Sequence, residues 1–216
     1  CKPDEQKAIV PGSLTISDVS VKTTGGQGSS RDRITNVNVF INDQSQGSFE
    51  LPASIPIQQT GDTTLQTGVV NLKIRGVIDI NGQSNDRQDY PFYTTYEVDT
   101  IFTPDAEFLL NPEVEYASTT IFGSQWPGED FETGISFEYD PLSDTSFQRV
   151  IDPSETIAGD GAAGVAHLTE EHSFFEAWSP IFNDVSRVGS ASFLEMDYKS
   201  THNIAVSILT NGRALQ

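Results

Sequence analysis

From Leu14 onward, apolar and polar residues take turns with a period close to two, the spacing of strands that bury one face. Leu14, Ile16, Val19 and Val21 follow this rhythm except for one slip near Asp18, which predicts a bulge. Between Ile34 and Ile41, Val37, Val39 and Ile41 fall on one face and Asn36 and Asn38 on the other. Leu65, Leu72, Ile74, Ile78 and Ile80 supply further inward positions. Turn signals recur about every eight to twelve residues, at Asn42-Asp43, Gly47, Pro52, Gly61-Asp62, Gly76 and Asn81-Gly82, a rhythm that predicts an antiparallel sandwich. Tyr90 to Phe102 reads as a strand pair or as one strand broken at Pro91, and Pro104-Asp105 and Asn111-Pro112 close this unit.

A second β unit is expected from about Val114. Phe137 and Tyr139 share a strand face, Gly159 to Gly164 form a small-residue loop, and Val165 to Thr169 is short and extended. Phe193 to Tyr198 and Asn203 to Leu209 alternate as two strands joined by the polar Lys199-Ser200-Thr201-His202. The one helical element expected is a short turn near Ser173–Trp178. The fold class is therefore all-β, with two β-sandwich domains at 14–112 and 113–216 after a tether at 1–13. Pro3, Pro11 and three early charges mark the tether, whose dozen or so residues reach roughly 40 Å when extended.

Charge narrows the partners. Twelve basic residues against 31 acidic ones leave −19 at neutral pH, which repels phosphate backbones and argues against nucleic acid. The same charge holds the body off anionic headgroups and keeps it soluble. No apolar run approaches the ~18 residues of a membrane-spanning helix.

Cys1 is the only cysteine, so no intramolecular disulfide is possible. Cys1-Lys2-Pro3-Asp4-Glu5 resembles the lipidated cysteine and acidic stretch of surface-exported Bacteroidota lipoproteins. The resemblance implies a lipid on the Cys1 sulfur, an export signal in Lys2, Asp4 and Glu5, and an outer-membrane position facing the exterior. The alternative is a chain whose first residue is Cys by chance. Val39 to Gly47, followed by Leu51-Pro52 and Gly61-Asp62, resembles the PEGA-like or transthyretin-like sandwiches, usually spacers and interaction modules. Ile34 to Pro112, with its Tyr90-Pro91-Phe92-Tyr93 patch, is similar to a family of Bacteroidota surface lipoproteins that brings no assigned activity. Glu129-Asp130-Phe131-Glu132, with Gly164-Val165-Ala166-His167-Leu168, resembles carbohydrate-binding jelly rolls. That resemblance implies a structural Ca²⁺ held by Glu132, loop carbonyls and an Asp on a last strand, but the Asp has no counterpart here. The jelly-roll-like module is also short, so either it is incomplete at the C-terminus or another chain covers an exposed edge.

Catalytic chemistry finds no foothold in the sequence. A Gly-x-Ser-x-Gly elbow is absent, and 31 acidic residues make some carboxylate pair inevitable, which empties that signal. His167 and His172, five apart, would lie on opposite faces of one strand unless a turn intervenes; with His202 they read best as surface histidines. Trp126 and Trp178 are the candidate sugar-stacking platforms, or else core aromatics. Tyr90, Phe92, Tyr93 and Tyr96 form either an exposed patch for a partner protein or cross-strand pairs within the first sandwich. The expectation is a non-enzymatic surface lipoprotein acting as a scaffold, adhesin or accessory subunit of an outer-membrane complex. The rival is a glycan-binding lipoprotein serving nutrient capture. The first predicts an apolar patch or an unpaired strand edge; the second predicts an exposed Trp126 in a concave polar site.

Overall fold

The computed structural model describes residues 11–57, 69–80, 86–123, 128–183, 185 and 189–209, and the chain divides into two units, Cys1–Phe122 and Gly123–Gln216. Both are β, and no α-helix occurs among the described residues.

The first unit holds ten of the described strands: β1 (Gly12–Ile16), β2 (Ser20–Lys22), β3 (Asn36–Ile41), β4 (Gln44–Glu50), β5 (Ala53–Ile57), β6 (Val70–Asp79), β7 (Arg87–Asp89), β8 (Tyr96–Thr100), β9 (Glu107–Leu110) and β10 (Glu113–Glu115). One sheet runs β4-β3-β6-β7, with β8 also paired to β6. A second runs β5-β1-β9, with β1 antiparallel to β5 and parallel to β9. β2 and β10 repeat that parallel pairing beyond a break at residues 17–19, and Ser20 N donates to Pro112 O at 3.0 Å to carry the chain across it. The break is the expected slip near Asp18. It lets Leu14, Ile16, Val19 and Val21 all remain buried. From the other sheet, Val37, Val39, Val70, Leu72, Ile74 and Val77 are also buried, each such burial stabilising by roughly 1.5–3 kcal/mol.

The β3–β4 hairpin closes through Asn42 and Asp43, both at positive φ (49° and 62°), the backbone of a type I′ turn. Val39 opposes Gly47 but Phe40 opposes Ser45, so Gln46 is the extra residue of a bulge, and Gly47 supplies its φ of 127°. Pro56 is accommodated because β5 is an edge strand among the described residues.

The second unit has four short described strands, β11 (Glu138–Tyr139), β12 (Gln148–Val150), β13 (Ala163–Val165) and β14 (Ala177–Trp178). They pair as β11–β14 and β12–β13, both antiparallel. Phe137 and Tyr139, expected on one face, meet Phe147 with ring centroids 5.3 and 6.4 Å away; Phe131 and Phe175 complete the cluster.

Several expectations are corrected. Gly12 and Ser13 are strand rather than tether: a Cβ on Gly12 would stand 2.6 Å from Thr103 O, so this glycine is needed for close packing. Glu113–Glu115 belongs with β2 in the first unit, and the division falls at Phe122/Gly123 rather than near Val114. Ile78 and Ile80 are half-buried, while Val77 is buried. Ser173–Trp178 forms no helical turn, because Ser173 N and Phe174 N donate to Asp144 Oδ2 and Glu176 N to Ser143 Oγ. Residues 193–209 form no strand: Ser200 and His202 bond locally, and no described strand pairs with the segment. Leu65 lies outside the described residues.

Candidate functional site

Tyr90-Pro91-Phe92-Tyr93 is a turn, with Tyr93 N donating to Tyr90 O at 3.3 Å and Pro91 at the position where its fixed φ suits a bend. The turn joins β7 to β8 and is stapled to residues 115–117: Thr94 N donates to Glu115 O at 2.8 Å, and Ala117 N to Phe92 O at 2.7 Å. Its rings pack on one another. Tyr90 lies 5.5 Å from Phe92 and 4.5 Å from Tyr93, Tyr93 lies 5.1 Å from Tyr116, and Tyr116 lies 4.9 Å from Phe122. Tyr90 is buried and Phe92, Tyr93 and Tyr96 are half-buried. Of the four residues singled out in the sequence, the structure therefore gathers Tyr90, Phe92 and Tyr93, and sets Tyr96 on β8 opposite Ile74.

Beside this turn lies a pocket of about 200 Å³ lined by Arg75, Gly76, Asp89, Tyr90, Tyr93 and Thr95, among others. That is small for a drug-sized ligand, whose sites start near 300 Å³. Its charged groups are already engaged: Arg75 Nη1 lies 3.3 Å from Asp89 Oδ2, Asn38 donates to the other oxygen, and the guanidinium sits 5.0 Å from the Phe40 ring centroid. The ladder continues along β6. Asn71 donates to Glu97 at 2.8 Å and Asp99 at 3.0 Å, and Lys73 reaches Asp43 at 2.7 Å. Asp43 accordingly raises the Lys73 pKa. Sequence reading missed Arg75 and Asp89, although the polar alternation of Asn71, Lys73 and Arg75 marked that face.

In the second unit, Trp178 is half-buried on β14 and its indole N–H donates to Glu176 Oε1 at 2.5 Å. Glu132 is exposed; its Oε1 accepts the N–H of Ala162, so the Phe131-Glu132 turn does reach the small-residue loop. Arg149, which drew no notice in the sequence, donates to Phe131 O and Glu132 O. Among the described residues, no three His, Cys, Asp or Glu side chains gather as a metal site. A turn does intervene between His167 and His172, where Thr169 and His172 bond each other, and both histidines are exposed. Cys1, Lys2, Asp4, Glu5 and Trp126 lie outside the described residues.

Exposed apolar residues concentrate in the second unit. Leu194, Met196 and Tyr198 are 65, 48 and 61% exposed, and Ile204, Val206 and Ile208 are 48, 59 and 88% exposed. No family model matches this chain, and neither curated proteins nor solved structures give a match.

Proposed function

We propose that the protein is a non-enzymatic lipoprotein of the outer-membrane surface, acting as a scaffold, adhesin or accessory subunit. The observation that carries the reading is the exposed apolar series Leu194, Met196, Tyr198, Ile204, Val206 and Ile208. Its alternation is that of strands, yet no described strand pairs with it. On a chain of net charge −19, a run of six exposed large apolar side chains within fifteen residues is where another protein would pack. The motif Cys1-Lys2-Pro3-Asp4-Glu5 supports the lipid anchor and outward display. The first unit would be a transthyretin- or PEGA-like sandwich, a reading supported by buried rows contributed by its two larger sheets. The second would be jelly-roll-like, supported by the Phe131-Glu132 turn meeting the small-residue loop.

Capture from detergent-solubilised native membranes tests this reading directly. It expects an outer-membrane protein held by the wild-type chain and lost when Val206 and Ile208 are changed to Asp. A glycan array run alongside, with Trp126→Ala as control, expects no signal. A glycan signal abolished by that substitution would replace the scaffold reading with nutrient capture.

A further inference from the structure

We propose that the cation ordering the 129–132 turn of the second unit is the chain's own Arg149, and that this turn takes no calcium ion. The likeness to calcium-bearing jelly rolls implies a metal here, and calcium gathers six to eight oxygens whose lone pairs face the ion. Six oxygens of this turn face N–H donors instead. Phe131 O accepts from Arg149 Nε at 2.5 Å and Glu132 O from Arg149 Nη2 at 2.9 Å. Glu132 Oε1 accepts from Ala162 N at 2.9 Å, and Asp130 Oδ1 from Glu132 N at 2.9 Å. Both Glu129 oxygens are taken too, by Phe131 N at 2.9 Å and Ser136 N at 2.6 Å.

A guanidinium is always charged and presents its donors as a rigid planar fork. Two successive carbonyls converge on that fork at Phe131, whose φ of 59° is left-handed. The facing loop is shaped to permit this. A Cβ on Gly164 would come within 2.3 Å of the Phe131 ring, and one on Gly161 within 2.7 Å of Glu132 Oε1. A divalent ion placed among these oxygens would meet donor hydrogens and a fixed positive charge. The turn is then ordered at any external calcium level, so binding through this unit survives chelation. This inference stands apart from the scaffold reading, since either holds without the other.

Both tryptophans, Trp126 and Trp178, lie in the second unit, so tryptophan emission reports its unfolding alone. Thermal unfolding of the full chain is expected to show one midpoint in EDTA and in millimolar calcium chloride at matched ionic strength. Arg149→Ala should lower that midpoint by roughly 5 °C, and Arg149→Lys by less, because an ammonium lacks the fork. A calcium-dependent rise abolished by Glu132→Gln overturns the proposal, as does an Arg149→Ala chain that melts like wild type. If Arg149→Ala fails to fold, calorimetric titration of the wild type with calcium decides. Stoichiometric binding lost in Glu132→Gln overturns the proposal; no binding, or binding that this change leaves intact, supports it.

Discussion

Gly164 shows how much depends on one absent side chain. Its Cβ would stand 2.3 Å from the nearest carbon of the Phe131 ring, and Phe131 is already held at positive φ by its turn. Gly164→Ala should therefore destabilise the second unit by about 1–3 kcal/mol, read from the midpoint of tryptophan-monitored denaturation. The sequence showed that residues 159–164 are small, but composition cannot say which ring the smallness accommodates. Asp32 offers a second test. Desolvation raises its pKa, opposed by the hydrogen bond from Ile34 N, while Asp18 adds repulsion. A carboxyl that titrates higher when folded binds its proton more tightly there, so stability falls as pH rises from 3.8 through the folded value, and the deficit persists at neutral pH. Asp32→Asn keeps the acceptor and removes the charge. It should raise stability at pH 7, by less than about 1 kcal/mol since solvent screens an exposed group, and change nothing near pH 3. Urea denaturation at the two pH values checks both halves.

Elements were legible wherever alternation and a turn agreed. Val37 and Val39 alternate with Asn36 and Asn38, Asn42-Asp43 follows, and the β3–β4 hairpin closes there with both residues at positive φ. Asn42 does more than turn the chain: its side-chain oxygen accepts Asn71 N at 2.9 Å and its own N–H donates to Asn71 O at 2.8 Å, tying the hairpin to β6. Asn42→Ala loses one of these bonds and leaves an ordinary residue in a left-handed conformation, so it should cost about 1–3 kcal/mol. Asp43→Gly trades an exposed ion pair to Lys73 for a relaxed backbone and should come close to neutral. Amide exchange of β3 and β6 distinguishes the two. Residues 193–209 show what alternation lacks. It specifies which face a strand would bury, but a ladder also needs a neighbouring edge, and no local pattern encodes that edge. The same gap hid β10, whose three residues, Glu113–Glu115, have meaning only beside β2, some 90 positions earlier in the chain.

For the whole molecule, the proposed partner surface is the exposed apolar series of the second unit, on a chain whose net charge of −19 opposes non-specific association. Ile208, at 88% exposure, touches little, so Ile208→Asp should leave tryptophan-monitored stability within about 0.5 kcal/mol while weakening capture from membranes. Equal capture by the variant would remove this residue from the contact. In the first unit, β1 and β2 run side by side and in the same direction as β9 and β10. Gly12 and Glu115 thus lie at opposite ends of these parallel ladders, whose strands each rise about 3.3 Å per residue. Tension applied between Gly12 and Glu115 loads the two parallel ladders in shear, so their hydrogen bonds share the force instead of peeling open one at a time. Resistance to such a pull is governed by the rate of unfolding rather than by equilibrium stability.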